Sequence, residues 1–332
     1  MKKRQLILRF LLLLASSIAS IGGVMMFSRF FLRPNVLGAS TQITRLNKDY
    51  FLKIPTERYP HFYELIPNVI LKSDVSFVPS EISNTINSDG IHSAKNYAVT
   101  APSDTFRIAT IGDSFTFGQF VATDQNYSSR LEQMINTSRC LTNRKTEIIN
   151  FGIPGYDIGY TVEHFKRKAQ KYAPDLVIWF LNTHNIVPLD ERIVRFQTMV
   201  AETKEKRSEG PGGVDPWLPV FIDAGYSILG QWGNEAIQSR LHENIEAFRA
   251  LYTGELVVVV NDTLHDLSYV KMVAQEFKGK DHIVFDDTLP DLSARNAILA
   301  DGHPNLQGHI IIATHLYALL RQNGIISCHE SN

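Results

Sequence analysis

Five short apolar runs, each followed by a stretch with helical spacing, constrain this chain more than any other feature. The runs are Phe106–Ile111, Glu147–Asn150, Leu176–Leu181, Glu255–Val260 and His282–Phe285. Val, Ile and Leu dominate them, the pattern of strands buried on both faces. Apolar residues recur at helical intervals over Tyr127–Thr137, Tyr160–Tyr172, Ala236–Leu251, Tyr269–Phe277 and Leu306–Gln322. This alternation predicts an α/β fold, a parallel sheet covered by helices on both faces. In such sheets ligands bind beyond the carboxyl ends of the strands. The loops that follow the runs are therefore where chemistry is expected.

The loop after the first run reads Gly112-Asp113-Ser114-Phe115-Thr116-Phe117-Gly118. It places Ser114 where a strand gives way to a turn and then a helix. A serine there can present its hydroxyl to a ligand while nearby backbone N–H groups face a developing negative charge. A serine hydroxyl is a weak nucleophile and needs a base. Near the other end of the chain, Asp301-Gly302-His303-Pro304-Asn305 supplies one. His303 is the candidate base, and Asp301 the carboxylate that would orient it. The turn is not a G-x-S-x-G elbow, because Thr116 fills the last glycine position. Neither H-E-x-x-H nor a pair of C-x-x-C motifs occurs, so both common zinc signatures are missing from the sequence. The chemistry expected of these residues calls for no metal and no organic cofactor.

These residues resemble the SGNH/GDSL hydrolase superfamily, serine esterases on a flavodoxin-like fold. The resemblance covers roughly residues 80–324. It implies a three-layer sandwich around a parallel sheet, with Ser114, His303 and Asp301 catalytic. It also implies an oxyanion hole. The second block reads Asn150-Phe151-Gly152, and the resemblance assigns the oxyanion glycine to Gly152. The third block departs from the usual Gly-x-Asn-Asp. Here Asn182-Thr183-His184-Asn185 follows the strand, and the family asparagine falls on His184. Asn185, Asn182 and His184 all remain candidates for the third donor. The fourth block places Asp301 two residues before His303 instead of three, leaving Asp291 and Asp287 as alternatives.

The 332 residues carry a formal net charge of -1, which argues against nucleic acid as a partner. Lys2, Lys3, Arg4 and Arg9 precede an uncharged stretch from Phe10 to Ser28. Residues 1–32 read as a cytoplasmic stub and a transmembrane signal anchor, with the body outside the cytoplasm. Secretion after signal cleavage is the alternative. Cys140 and Cys328 follow the first and last predicted helices and suit either a disulfide or two thiols. Residues 33–103 read as a linker and lead-in, and 104–326 as the catalytic domain, with an insertion at about 186–235. The insertion holds Trp217, Phe221, Tyr226 and Trp232, which could stack on a sugar or simply pack together.

The expectation is a serine esterase acting on an O-acyl ester, such as an acetyl group, of a glycan, envelope polymer or lipid. Two alternatives stand beside it. One is an O-acyltransferase fed by an acyl-delivering membrane protein. The other is a non-catalytic glycan-binding or assembly protein.

Overall fold

The apolar runs assemble into one five-stranded parallel sheet in the computed structural model. It describes residues 51–327, apart from 74, 76, 79–81, 139, 142–143 and 204–214. The sheet strands are β5 (Thr105–Ile111), β6 (Lys145–Asn150), β7 (Leu176–Asn182), β8 (Glu255–Asn261) and β9 (Ile283–Asp286). They are ordered β6-β5-β7-β8-β9, and every pairing is parallel. In order of appearance within the sheet this is 2-1-3-4-5, the flavodoxin-like order. Its topological switch point lies between β5 and β7. The chain leaves β5 there toward β6 and returns at β7, which opens a crevice at the carboxyl ends of the two strands.

The helices are α1 (Ser114–Phe117), α2 (Tyr127–Ser138), α3 (Ile158–His164), α4 (Leu189–Glu202), α5 (Leu218–Leu251), α6 (Leu267–Phe277) and α7 (Leu306–Gln322). Side chains alternate faces along a strand, and β7 divides the core accordingly. Val177, Trp179 and Leu181 pack with residues of α3, α5 and α6. Leu176, Ile178 and Phe180 pack with residues of α2 and α7. All seven residues of β7 are buried, as expected of a strand covered on both faces.

Arg107 sits in this framework with no exposed surface. Its Nη2 lies 2.7 Å from Glu147 Oε2. Its remaining donors reach the carbonyls of Ala98, Val99 and Tyr172. Satisfied in this way, a buried guanidinium clamps the lead-in segment and the chain at Tyr172 to β5.

The lead-in is more ordered than its prolines suggest. β1 (Phe51–Lys53) pairs antiparallel with β2 (Tyr63–Leu65), and β3 (Val69–Ser73) with β4 (Ile82–Ile86). These hairpins brace the loops above the sheet. Tyr63 Oη donates to the Pro154 carbonyl at 2.5 Å, and Asn84 Nδ2 to the Val121 carbonyl at 2.8 Å. His92 Nδ1 lies 2.6 Å from the Phe117 carbonyl.

The insertion is largely helical. α4 and the first half of α5 form it; at Gly233 (φ 70°, ψ 164°) the backbone leaves helical geometry, and a second helical stretch runs on to Leu251. The predicted helix Ala236–Leu251 matches the stretch after this break, and the helix before it was not predicted. Pro219, Gly225, Gly230 and Gly233 punctuate the preceding stretch, but burial of Val220, Phe221, Ala224 and Ile228 outweighs them.

Cys140 is buried and disulfide-bonded; Cys328, the other cysteine of the sequence, lies outside the described residues. The predicted anchor over 1–32 also lies outside them. Among the described residues, no helix is long and apolar enough to cross a membrane.

Candidate active site

Ser114 opens α1 directly after β5. Gly112 makes the turn possible: a Cβ there would stand 2.4 Å from Thr116 Oγ1 and 2.6 Å from the Phe180 carbonyl oxygen. Asp113 caps the short helix, its Oδ1 accepting from the Phe115 N–H at 2.9 Å. At the far end of the chain, the loop before α7 closes on itself. The Leu299 N–H donates to the His303 carbonyl, and Asn305 caps α7 at Gly308.

That loop brings His303 to the serine. His303 Nε2 stands 2.8 Å from Ser114 Oγ, and His303 Nδ1 3.2 Å from Asp301 Oδ2. Asp301 Oδ1 also accepts from the His303 N–H at 3.0 Å, and the Asp301 side chain is fully buried. The two-residue spacing is thus long enough, because the carboxylate bonds both backbone and ring of the same histidine. Asp291 instead accepts from Ser293 Oγ and N–H, and does not contact His303. Phe115 and Phe120 flank the imidazole, with ring centroids 5.6 and 5.5 Å away. Phe120 holds φ 69°, an unfavourable backbone for a bulky residue. That strain lies where the imidazole is positioned.

The N–H groups expected to line the oxyanion hole have partners within the protein. The Gly152 N–H donates to Asn150 Oδ1 at 2.9 Å, so it is spent. Gly152 is a packing glycine: a Cβ there would lie 2.2 Å from the Phe117 nitrogen. Gly155, three residues on, lines the cavity beside Ser114 instead.

The third block binds Asp113. Asn182 Nδ2 lies 3.1 and 2.9 Å from the two Asp113 carboxylate oxygens, and Asn182 Oδ1 accepts from Asn261. Asn185 Nδ2 donates to Asp113 Oδ2 and to the Tyr156 carbonyl. His184 Nε2 stands 3.1 Å from Asp113 Oδ2, and its Nδ1 2.8 Å from Thr263 Oγ1. Every side-chain donor of Asn182, His184 and Asn185 therefore has a protein partner. Burial alone would raise the Asp113 carboxyl, but bonds from His184, Asn185 and Asn182 hold it below the usual range.

Gln119 has the capacity these residues lack, and no sequence pattern marks it. It is 2% exposed, lines the cavity, and its Nε2 has no hydrogen-bond partner. The backbone N–H groups of Ser114 and Gly155 likewise have no protein acceptor among the described residues. Ser114 heads a helix, where N–H groups lack intrahelical partners.

The cavity has a volume of about 320 Å³. Ser114 and His303 line it, and α4 and α5 line it through Leu189, Arg192, Phe221 and Tyr226. Of the four aromatic residues singled out in the insertion, Phe221 and Tyr226 line it. Trp217 and Trp232 do not, and Trp232 packs under Arg240. Among the described residues, no cluster of His, Cys, Asp and Glu could hold a metal ion.

No family model matches the chain, and no curated protein matches it. Among solved structures it is similar to TesA, with 12% identity and a TM-score of 0.42, over 65% of this chain and 98% of that one. It is similar to a lipase/acylhydrolase from Enterococcus faecalis, with 15% identity and a TM-score of 0.44, over 68% and 99%. It is also similar to Axe2, an acetylxylan esterase from Geobacillus stearothermophilus, with 14% identity and a TM-score of 0.41, over 65% and 94%.

Proposed function

We propose that the protein is a serine ester hydrolase of the SGNH type. The observation that carries this reading is the relay of Ser114 Oγ, His303 Nε2 at 2.8 Å, and Asp301 Oδ2 on the far ring nitrogen. In this reading Ser114 Oγ attacks the ester carbonyl carbon while His303 accepts the hydroxyl proton. The alcohol leaves with that proton, and the acyl group stays on Ser114. Water then attacks the acyl carbon, His303 takes its proton and returns it to Ser114, and the carboxylic acid departs. Asp301 holds the imidazole in place and stabilises its charged form.

The Ser114 and Gly155 N–H groups and the Gln119 carboxamide receive the developing oxyanion. Their unspent donors beside the nucleophile support this assignment. Substrates are O-acyl esters of a glycan, envelope polymer or lipid; the exposed Tyr226 ring lining the cavity supports a ring-bearing alcohol. The cavity volume falls near the lower end of ligand pockets, which favours a small acyl group. The basic and apolar residues before Ser28 support a membrane anchor with the body outside the cytoplasm. The disulfide at Cys140 supports the same compartment.

The test is intact-mass analysis of the protein treated with a fluorophosphonate, beside Ser114→Ala. One adduct on Ser114, missing in the variant, is the expected result. No adduct on folded wild-type protein would overturn the hydrolase reading.

A further inference from the structure

Two arginines, Arg107 and Arg192, differ in how their guanidinium groups are satisfied. Arg107 is paired with a carboxylate and three carbonyls. Arg192 is not. It projects from α4, is half-buried, and lines the cavity that holds Ser114. Its Nε–H donates to the Phe221 carbonyl at 2.9 Å, and its guanidinium carbon lies 3.9 Å from the Phe221 ring centroid. Gly225 leaves room beside it: a Cβ there would stand 3.3 Å from Nε and 3.7 Å from Nη2. Among the described residues, no carboxylate pairs with Arg192 and no acceptor meets either Nη.

The carboxylates of the cavity are engaged elsewhere. Asp157 accepts from the N–H groups of Tyr160 and Leu189. Asp262 accepts from Thr183 Oγ1 and the Asp266 N–H. Asp291 caps Ser293, and Asp301 holds His303. Burial also pushes Asp157 up to about 7, which reduces the negative charge it offers. Burial lowers Arg192 to about 10, so it remains a cation at neutral pH. A guanidinium on an apolar wall is costly without an anion and presents a fork suited to two oxygens.

We propose that the ester cleaved at Ser114 carries an anionic group, a carboxylate or a phosphate, which the Arg192 Nη atoms bind at the α4–α5 wall. This rests on the hydrolase reading for the word ester, and not for the anion site itself. The charge can lie on the acyl or on the alcohol side.

Two matched ester pairs distinguish these. The para-nitrophenyl monoester of glutarate is compared with para-nitrophenyl valerate for acyl-side charge. Para-acetoxybenzoate is compared with its methyl ester for alcohol-side charge. Wild type is expected to favour the anionic member of one pair in kcat/KM by about 10-fold, the scale of one charged hydrogen bond. Arg192→Gln should bring that ratio to near one, and Arg192→Lys should keep part of it. Separately, glutarate and inorganic phosphate are titrated by calorimetry into Ser114→Ala, with and without Arg192→Gln. Binding that the second substitution weakens about 10-fold supports the anion site even if no ester is turned over. No anionic preference in either pair, or an anionic preference that survives Arg192→Gln, overturns the proposal, as does failure of both anions to bind. Adduct formation on Ser114 decides the hydrolase reading independently of either result.

Discussion

Asn182 Nδ2 spans both carboxylate oxygens of Asp113, tying the end of β7 to the turn that follows β5. Asn185 and His184 bond the same carboxylate. Asp113→Asn would turn an amide N–H toward at least one of these donors. We expect a loss of about 3 kcal/mol in urea unfolding, as for a buried charge network that loses its acceptor. Because the folded carboxyl lies below its ordinary pKa, its contribution is present above the unfolded pKa and is lost as pH falls through the folded one. Wild type and Asp113→Asn should therefore converge in stability toward strongly acidic pH. Parallel curves would rule this role out.

Ser114→Ala should lower hydrolysis of a para-nitrophenyl ester by at least about 10³-fold, and Asp301→Asn by on the order of 10³-fold through the wrong imidazole tautomer. Both variants should melt within a few degrees of wild type. An Asp301→Asn enzyme with near-normal kcat would show that His303 needs no carboxylate.

Gln119→Leu keeps the bulk of the side chain and removes its donor. If the carboxamide faces the oxyanion, kcat should fall by on the order of 10²-fold with little change in KM. The unpartnered Nε2 would disappear at the same time, so stability should hold or rise. A large change in KM alone would assign Gln119 to ground-state binding.

Burial depresses three histidines: His92 and His164 to about 4, and His309 to about 3. His309 must be neutral to accept the Tyr127 N–H at Nδ1. The unfolded chain binds more protons than the folded one between these values and the ordinary 6.5. Stability is thus fully present above about pH 6.5 and declines as pH falls toward 4. His164→Leu should flatten part of that decline in urea unfolding followed across the range. An unchanged slope would exclude His164 as a contributor.

Arg107→Met removes a buried cation but leaves Glu147 and the three carbonyls without their donor. The expected cost is about 3–5 kcal/mol in urea unfolding. Arg107→Lys should recover only part, because one ammonium cannot reach all four acceptors. Full recovery by lysine would mean that charge alone matters here.

Much of this arrangement is legible in the sequence. The run Leu176–Leu181, short and rich in branched residues, reads as a strand buried on both faces, and β7 is one. Ser114 and His303 were marked by the elements on either side of them, which deliver both to one sheet edge. The oxyanion donors were harder to place. Asn150 bonds back to the Gly152 N–H two residues on, a local turn that the Asn-x-Gly spacing signals but that block matching passes over. Asn182 and Asn185 looked like donors to a ligand because their acceptor, Asp113, lies 69 and 72 residues away. Gln119 and Arg192 belong to no pattern. Only their burial and their missing partners single them out. The hairpins β1–β4 escaped notice because their strands are short and set among prolines.

Gly233 interrupts α5 with an extended ψ, and the helix does different work on either side of it. Before it, Leu218, Phe221, Ile222, Gly225 and Tyr226 face the cavity. After it, Ile237, Leu241, Ile245 and Phe248 hold the sheet. Ile228 and Leu229 already join the sheet's core before the break, so the cavity wall and the sheet packing meet in the last turns ahead of Gly233. Evolution, or an engineer, can redraw the cavity-facing positions of the first half while its buried positions and the whole second half stay as they are.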